Sequence, residues 1–292
     1  MMAGSFVYER PRTLERALEL MGETRVAVVC GGTDFYPERL YQHRQEFVVD
    51  VSSIDALRGV TRDATGWRIG ATTTWSDVRD TAMPDAFDGL RTAARQVGAA
   101  QIQNAGTVAG NICTASPAGD GIPPLLTLNA QVELHSLRST RVVDLARYLT
   151  GYRTTDRRED ELVTAIIIPE PGTNSRGAFV KFGQRSSLVI STVMIAALVE
   201  FDDDRIDTAR VAVGACSPVA ARLAGVEVAL VGVKAESSTL LKSVREVNMS
   251  ELTPIDDVRA SSAYRTRVTP QLIVDALLAC RGGAWVSTYV RE

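Results

Sequence analysis

Histidine is nearly absent. The chain has two, His43 and His135, among 292 residues. That count excludes a metal site built from several imidazoles. A Ser-His-Asp or Cys-His catalytic set would have to fall on one of these two. His135 lies in QVELHSL, where alternation predicts a strand, and His43 in LYQHRQ reads as an exposed loop residue. Cysteine is as sparse: Cys30, Cys113, Cys216 and Cys280 stand far apart, so no CxxC zinc or iron–sulfur ligand set exists and a reduced compartment is expected. Lys and Arg form no dense run and the net charge is −3, which argues against nucleic-acid binding driven by phosphate contacts. No apolar run approaches the roughly 20 residues of a membrane span. The longest candidate, Val193 to Val199, runs out just before Asp202 to Asp204. The opening MMAGSFVYERP lacks a basic segment followed by an apolar one, so no secretory signal and a cytoplasmic location are expected.

What is present is an ordinary globular balance, 45% hydrophobic and 23% charged. Thr13 before LERALELMG predicts a capped helix that stops at Gly22. RVAVVCGG and EFVVDVSS read as strands, and LRGVTRDATGWRIGATTT as a hairpin about DATG. TWSD from Thr74 is a capping box, DGLRTAARQVG a helix ended by Gly98, and Pro123 and Pro124 suit the first turn of another. DELVTAIIIPEP, GAFVKFGQRSS and STVMIAALVEFDDDRIDTARVAVGAC read as strands, with an acidic turn at Asp202 to Asp204. The tail holds helix patterns in TLLKSVREVN and TPQLIVDALLAC. The class is α+β, divided within PEPGTNSRG into residues 1–175 and 176–292.

Two glycine-rich segments stand out. In VVCGGTDFYP a buried strand ends at Cys30, and Gly31 and Gly32 remove Cβ atoms where the chain must turn. Thr33 and Asp34 then add a hydroxyl and a carboxylate. The second, NAGTVAGNICTASPAGDGIPP, reads as a loop with Gly106, Gly110 and Asn111, followed by the acid Asp120. Glycines let backbone N–H groups approach a ligand closely and form an anion-binding nest. Neither GxGxxG nor GxxxxGK is present, so neither dinucleotide fingerprint nor Walker loop applies. Each segment alone could be a structural turn, and Asp120 a cap or Asx-turn before the Pro123 helix. Two such segments without a catalytic dyad point to a large phosphate-bearing cofactor, whose hydroxyls Asp120 would suit better than its phosphates.

Five ordered segments carry a resemblance: CGGTDFYPERL, QIQNAGTVAGNICTASPAGDGIPPLLTLNAQVEL, YLTGYRTTDRREDELVTAIIIP, FVKFGQRSSLVISTV and SSAYRTRV. Together they resemble the FAD-binding subunits of the molybdenum hydroxylases, the xanthine dehydrogenase and carbon monoxide dehydrogenase group, over nearly the full chain. The resemblance implies a two-subdomain FAD domain of the vanillyl-alcohol-oxidase/PCMH type and a small α+β C-terminal domain of the CO dehydrogenase flavoprotein type. By the same resemblance Val28, Val29, Cys30, Gly31, Gly32, Thr33, Asp34 and Phe35 wrap the FAD pyrophosphate. Thr107, Val108, Ala109, Gly110 and Asn111 form the second wall, with Gly110 expected at positive φ. Asp120 holds polar groups of the cofactor, Val163 meets the ring system through its backbone, and Lys181 lies near the flavin, although its strand pattern alone suits a solvated strand residue equally. Cys113 is expected as a small buried residue, and Tyr264 and Arg265 as ties within the C-terminal domain.

The resemblance also implies a role: electrons pass from the [2Fe–2S] clusters of a small partner subunit through non-covalent FAD to NAD or another acceptor. A large molybdopterin subunit completes a heterotrimer, two of which pair. Molybdopterin and clusters belong to the partners alone. Ala109 departs from the family pattern, where glycine is usual, and a methyl group there is tolerable only at negative φ. Two other readings stand beside this one: a standalone FAD-dependent oxidoreductase of the same fold, and a scaffold subunit that has lost FAD.

Overall fold

The computed structural model describes residues 7–39, 47–185 and 188–282, together with the backbone of 288–290. His43 lies outside the described residues.

A small first unit comprises β1 (Val7–Glu9), α1 (Leu14–Glu23), β2 (Val26–Val29), α2 (Phe35–Arg39) and β3 (Phe47–Asp50). Its sheet runs β1-β3-β2, all parallel. Thr13 caps α1, its hydroxyl accepting the Arg16 N–H at 3.2 Å. The helix runs through Gly22 and ends one residue later than the glycine suggested. Its Ala17, Leu18, Leu20 and Met21 pack on Val49 and Val51.

The second unit is an antiparallel sheet and a set of short helices. In chain order these are β4 (Val60–Asp63), β5 (Gly66–Gly70), α3 (Trp75–Asp80), α4 (Asp88–Gln96), α5 (Ala100–Ala105), α6 (Val108–Thr114), α7 (Ile122–Thr127), β6 (Gln131–His135), β7 (Thr140–Asp144), α8 (Leu145–Tyr148), β8 (Leu149–Gly151), β9 (Thr154–Thr155) and β10 (Leu162–Pro169). The large sheet runs β4-β5-β10-β6-β7. The expected hairpin forms, with Asp63 opposite Gly66, and so does the Thr74–Asp77 capping box. His135 keeps its place on β6, near Glu133 at 3.2 Å.

The third unit has β11 (Arg176–Gly183), β12 (Val193–Asp202), β13 (Arg205–Gly214), β14 (Ala221–Arg222), α9 (Ala224–Leu230), α10 (Ser237–Arg245), α11 (Ser262–Ala279) and β15 (Thr288–Val290). Its sheet runs β14-β13-β12-β11-β15. Helix α11 begins seven residues before Thr269, the start that its apolar pattern suggested, with Ser261 as cap and Pro270 inside. Tertiary packing carries it: Leu272, Ile273, Ala276 and Leu277 are buried in the third unit's core. Arg265 on the same helix is buried and donates to the carbonyls of Thr192 and Ala215 and to Asp257.

The second and third units share one apolar core. Leu198, Ala212 and Ala220 join the cluster built on Trp75, Phe87, Leu125 and Ile166. At the seam the backbones nearly touch. A Cβ on Gly89 would lie 2.9 Å from the Ala178 carbonyl oxygen, and one on Gly177 2.3 Å from that of Ala86. Among the described residues no helix is long and apolar enough to cross a membrane.

Candidate cofactor cradle

The two glycine-rich segments meet. The first leaves β2 at Val29 and turns through Gly32, whose φ of +68° is the left-handed region that glycine enters without steric cost. Gly31 lies so close to the second segment that a Cβ there would stand 2.0 Å from the Ala105 carbonyl oxygen. Thr33 approaches Gly106 from the same side, its Oγ1 3.2 Å from the position of a Cβ there. Asp34 accepts from Thr114 Oγ1 at 3.4 Å. Cys30 is half-buried, and burial pushes its thiol up to about 11. Val28 faces the first unit's core and Val29 is buried, while Phe35 opens α2 beneath the Arg39 guanidinium.

The second segment is helical where a loop was expected. Thr107 caps α6, its Oγ1 accepting the Gly110 N–H at 2.9 Å, and the Asn111 N–H reaches the Thr107 carbonyl at 3.1 Å. The Val108 N–H donates to Thr73, and the Trp75 N–H to Gly106, so α3 and α6 start side by side. Gly110 is not at positive φ. It occupies the first turn of α6, is exposed, and a Cβ there would crowd Thr107 Oγ1 at 2.8 Å. Ala109 lies in the same helical turn with its methyl packed in the core, so the departure from glycine costs no backbone strain. Cys113 is exposed, not buried as expected, although surrounding protein still pushes its thiol up and its Sγ lies 3.5 Å from the Tyr148 hydroxyl.

Asn111 Oδ1 is buried without a hydrogen-bond partner among the described residues, next to Gly119 and Gly121. Such a group calls for a donor that the protein does not supply. A glycine-lined approach, a left-handed turn and an orphaned acceptor fit a bound dinucleotide.

Asp120 does not cap α7, whose N-cap position is Gly121 and carries no side-chain cap. Its Oδ2 accepts from Lys181 Nζ at 2.6 Å and its Oδ1 from Ser191 Oγ at 2.8 Å. Lys181 is therefore no solvated strand residue: it is buried on β11 and also donates to the Gln96 carbonyl at 3.3 Å. Burial pushes the Asp120 carboxyl up, against the pull of Lys181 and Ser191. Val163 is buried on β10 at a bulge opposite β6, and its neighbour Leu162 packs into the first unit's core.

Two residues that sequence reasoning passed over also belong here. Ser191 is one. Arg153 is another, reaching Asp34 at 2.6 Å and also pairing with Glu38. GYRTT was visible as a motif, but nothing local says where its arginine points.

Residues 4–171 match the family model described as the FAD binding domain in molybdopterin dehydrogenase, and residues 178–280 match the CO dehydrogenase flavoprotein C-terminal domain. The chain belongs to the molybdopterin dehydrogenase FAD-binding family. It is an FAD-containing oxidoreductase subunit, the medium subunit of the molybdenum hydroxylase architecture. It is 34% identical to the nicotinate dehydrogenase FAD-subunit of Eubacterium barkeri over 206 residues, 68% of this chain and 70% of that one. It is 29% identical to the xanthine dehydrogenase FAD-binding subunit of Escherichia coli O157:H7 over 285 residues, 94% of this chain and 97% of that one. The solved carbon monoxide dehydrogenase of Hydrogenophaga pseudoflava shares the fold, with a TM-score of 0.87 over 97% of this chain and 99% of that one, at 23% identity.

Proposed function

We propose that this medium subunit relays electrons from the [2Fe–2S] clusters of a small partner subunit to NAD, within a xanthine dehydrogenase-like hydroxylase. The observation that carries the site is the backbone contact between Gly31 and Ala105, which brings the two glycine-rich segments together. When bound, FAD exchanges electrons singly or in pairs, linking one-electron clusters to a two-electron acceptor.

The chain's own residues bind and orient. Backbone N–H groups of Val28 to Phe35 cradle the pyrophosphate, and Thr107 to Asn111 form the opposite wall. The bulge at Val163 turns β10 backbone toward the ring system. Asp120, and Lys181 from the C-terminal domain, complete the site. No side chain need act as a strong acid or base, in keeping with two histidines. Residues 1–175 form a two-subdomain FAD domain of the PCMH type and 176–292 the C-terminal domain. The partners are a large molybdopterin subunit and a small cluster-bearing one, assembled as a dimer of heterotrimers in the cytoplasm.

Anaerobic titration of the full chain with NADH tests the reading. Bleaching of bound flavin, with no oxidation of xanthine, an aldehyde or carbon monoxide, is expected. Organic-substrate turnover by the lone chain would overturn the assignment, and a flavin that NADH leaves oxidised would overturn NAD as acceptor.

A further inference from the structure

The β8–β9 hairpin presents an arginine where a turn ordinarily takes glycine. Gly151 pairs with Thr154, which leaves Tyr152 and Arg153 as the two turn residues. Arg153 has φ +52°, a left-handed conformation for which glycine or asparagine is the usual choice. Ala115, at the end of α6, is also left-handed with φ +47°. The two strained residues are bonded to each other: the Arg153 N–H donates to the Ala115 carbonyl at 3.0 Å. Strain of this kind persists only where surrounding structure imposes it.

The surroundings do impose it. The base of the hairpin is fixed by the Asp156 N–H on the Tyr148 carbonyl at 2.8 Å. Arg141 then grips Asp156 at 2.6 Å and the buried Glu161 at 2.7 Å. From this rigid mount the Arg153 side chain leaves the second unit and crosses to the first. Nη2 donates to Asp34 Oδ2 at 2.6 Å and to Glu38 Oε1. Asp34 belongs to the glycine-rich turn and Glu38 to the helix that follows it. The same Asp34 oxygen accepts from Thr114 on α6.

We propose that Arg153 is a latch: by pairing with Asp34 and Glu38 it shuts the small first unit onto the second and so sets how fast FAD leaves. It is a positioning residue that acts through these two carboxylates. The inference rests on FAD lying between residues 28–35 and 107–111.

The test is the FAD dissociation rate of the full chain, read by recovery of flavin fluorescence at low and high potassium chloride. Arg153→Ala should release FAD about tenfold faster at low salt, the size expected of a partly exposed, charge-assisted contact. Arg153→Lys should recover part of the difference, and high salt should narrow it. Asp34→Asn with Glu38→Gln should match Arg153→Ala, and adding Arg153→Ala to that pair should change little further. An Arg153→Ala chain with a lower melting temperature but the wild-type release rate would overturn the latch. So would full additivity with the two carboxylate changes, which would put Arg153 on the cofactor itself. Gly31→Ala separates the two levels of the reading: if it keeps FAD as tightly as wild type, the cradle is misplaced; if it loses FAD while Arg153→Ala does not, the latch alone fails.

Discussion

Asp120 Oδ2 and Lys181 Nζ lie 2.6 Å apart, both buried, with Asp120 just before α7 and Lys181 in the middle of β11. Ser191 and the Gln96 carbonyl satisfy further hydrogen-bonding positions of the pair. The two charges were thus taken out of water together, and each is tolerable only because the other is present.

Removing one member should therefore cost far more than removing both. Lys181→Met is expected to destabilise the chain by about 3–5 kcal/mol in urea unfolding, because it strands a buried carboxylate. Asp120→Asn added to Lys181→Met should recover most of that loss. Costs that simply add would mean the residues do not interact.

Gly31 and Gly110 should fail in different ways. At Gly31 a methyl group meets the Ala105 carbonyl at 2.0 Å, and backbone cannot step aside as a side chain can. Gly31→Ala should pry the two segments apart, weakening FAD by tenfold or more, on the order of 1.4 kcal/mol or above, with a lower melting temperature. Gly110→Val meets only the capping hydroxyl of Thr107. It should cost about 1 kcal/mol of stability through the disturbed cap and obstruct FAD from an exposed position. Differential scanning fluorimetry with and without FAD distinguishes the two patterns.

Asp257 supplies a pH dependence. Burial raises its carboxyl, but the Arg259 and Ala260 N–H groups and the guanidiniums of Arg259 and Arg265 outweigh burial and hold it at about 2, below the usual 3.8. A depressed acid stabilises the fold above its unfolded value, and that contribution fades as pH falls through the folded value. Asp257 should contribute about 2 kcal/mol at neutral pH. Asp257→Asn should accordingly be less stable than wild type at pH 6, with the difference shrinking between about pH 4 and pH 2. A difference that is constant across that range would assign the loss to geometry instead of charge.

Much of the fold was legible because its signals are local. The Thr74 capping box, the DATG hairpin, the Pro123–Pro124 helix start and the alternation of β6 depend on residues a few positions apart. The two glycine-rich segments that meet could be picked out for the same reason: glycine clusters show where backbone comes close. What could not be read was which backbone it approaches. Thr107 to Asn111 passed for a loop because Gly106 and Gly110 masked a short helix whose cap is a single threonine. Lys181 could be taken for a solvated residue because its partner lies 61 positions away. Arg153 is the extreme case: its backbone N–H is held by Ala115 on another element, and its side-chain partners lie 115 and 119 positions away.

The seam between α4 and β11 bears on how this chain can be inherited. Gly89 and Gly177 admit backbone against backbone, Lys181 crosses to Asp120, and Leu198 and Ala212 finish a core begun by Trp75 and Phe87. A cut near residue 175 severs only a linker, yet it would open the core that the two pieces share. A chimera that took the second half from a distant relative would need the matching glycine, the lysine and the complementary apolar volumes at once. The two halves are therefore expected to change in step, as a single unit of descent.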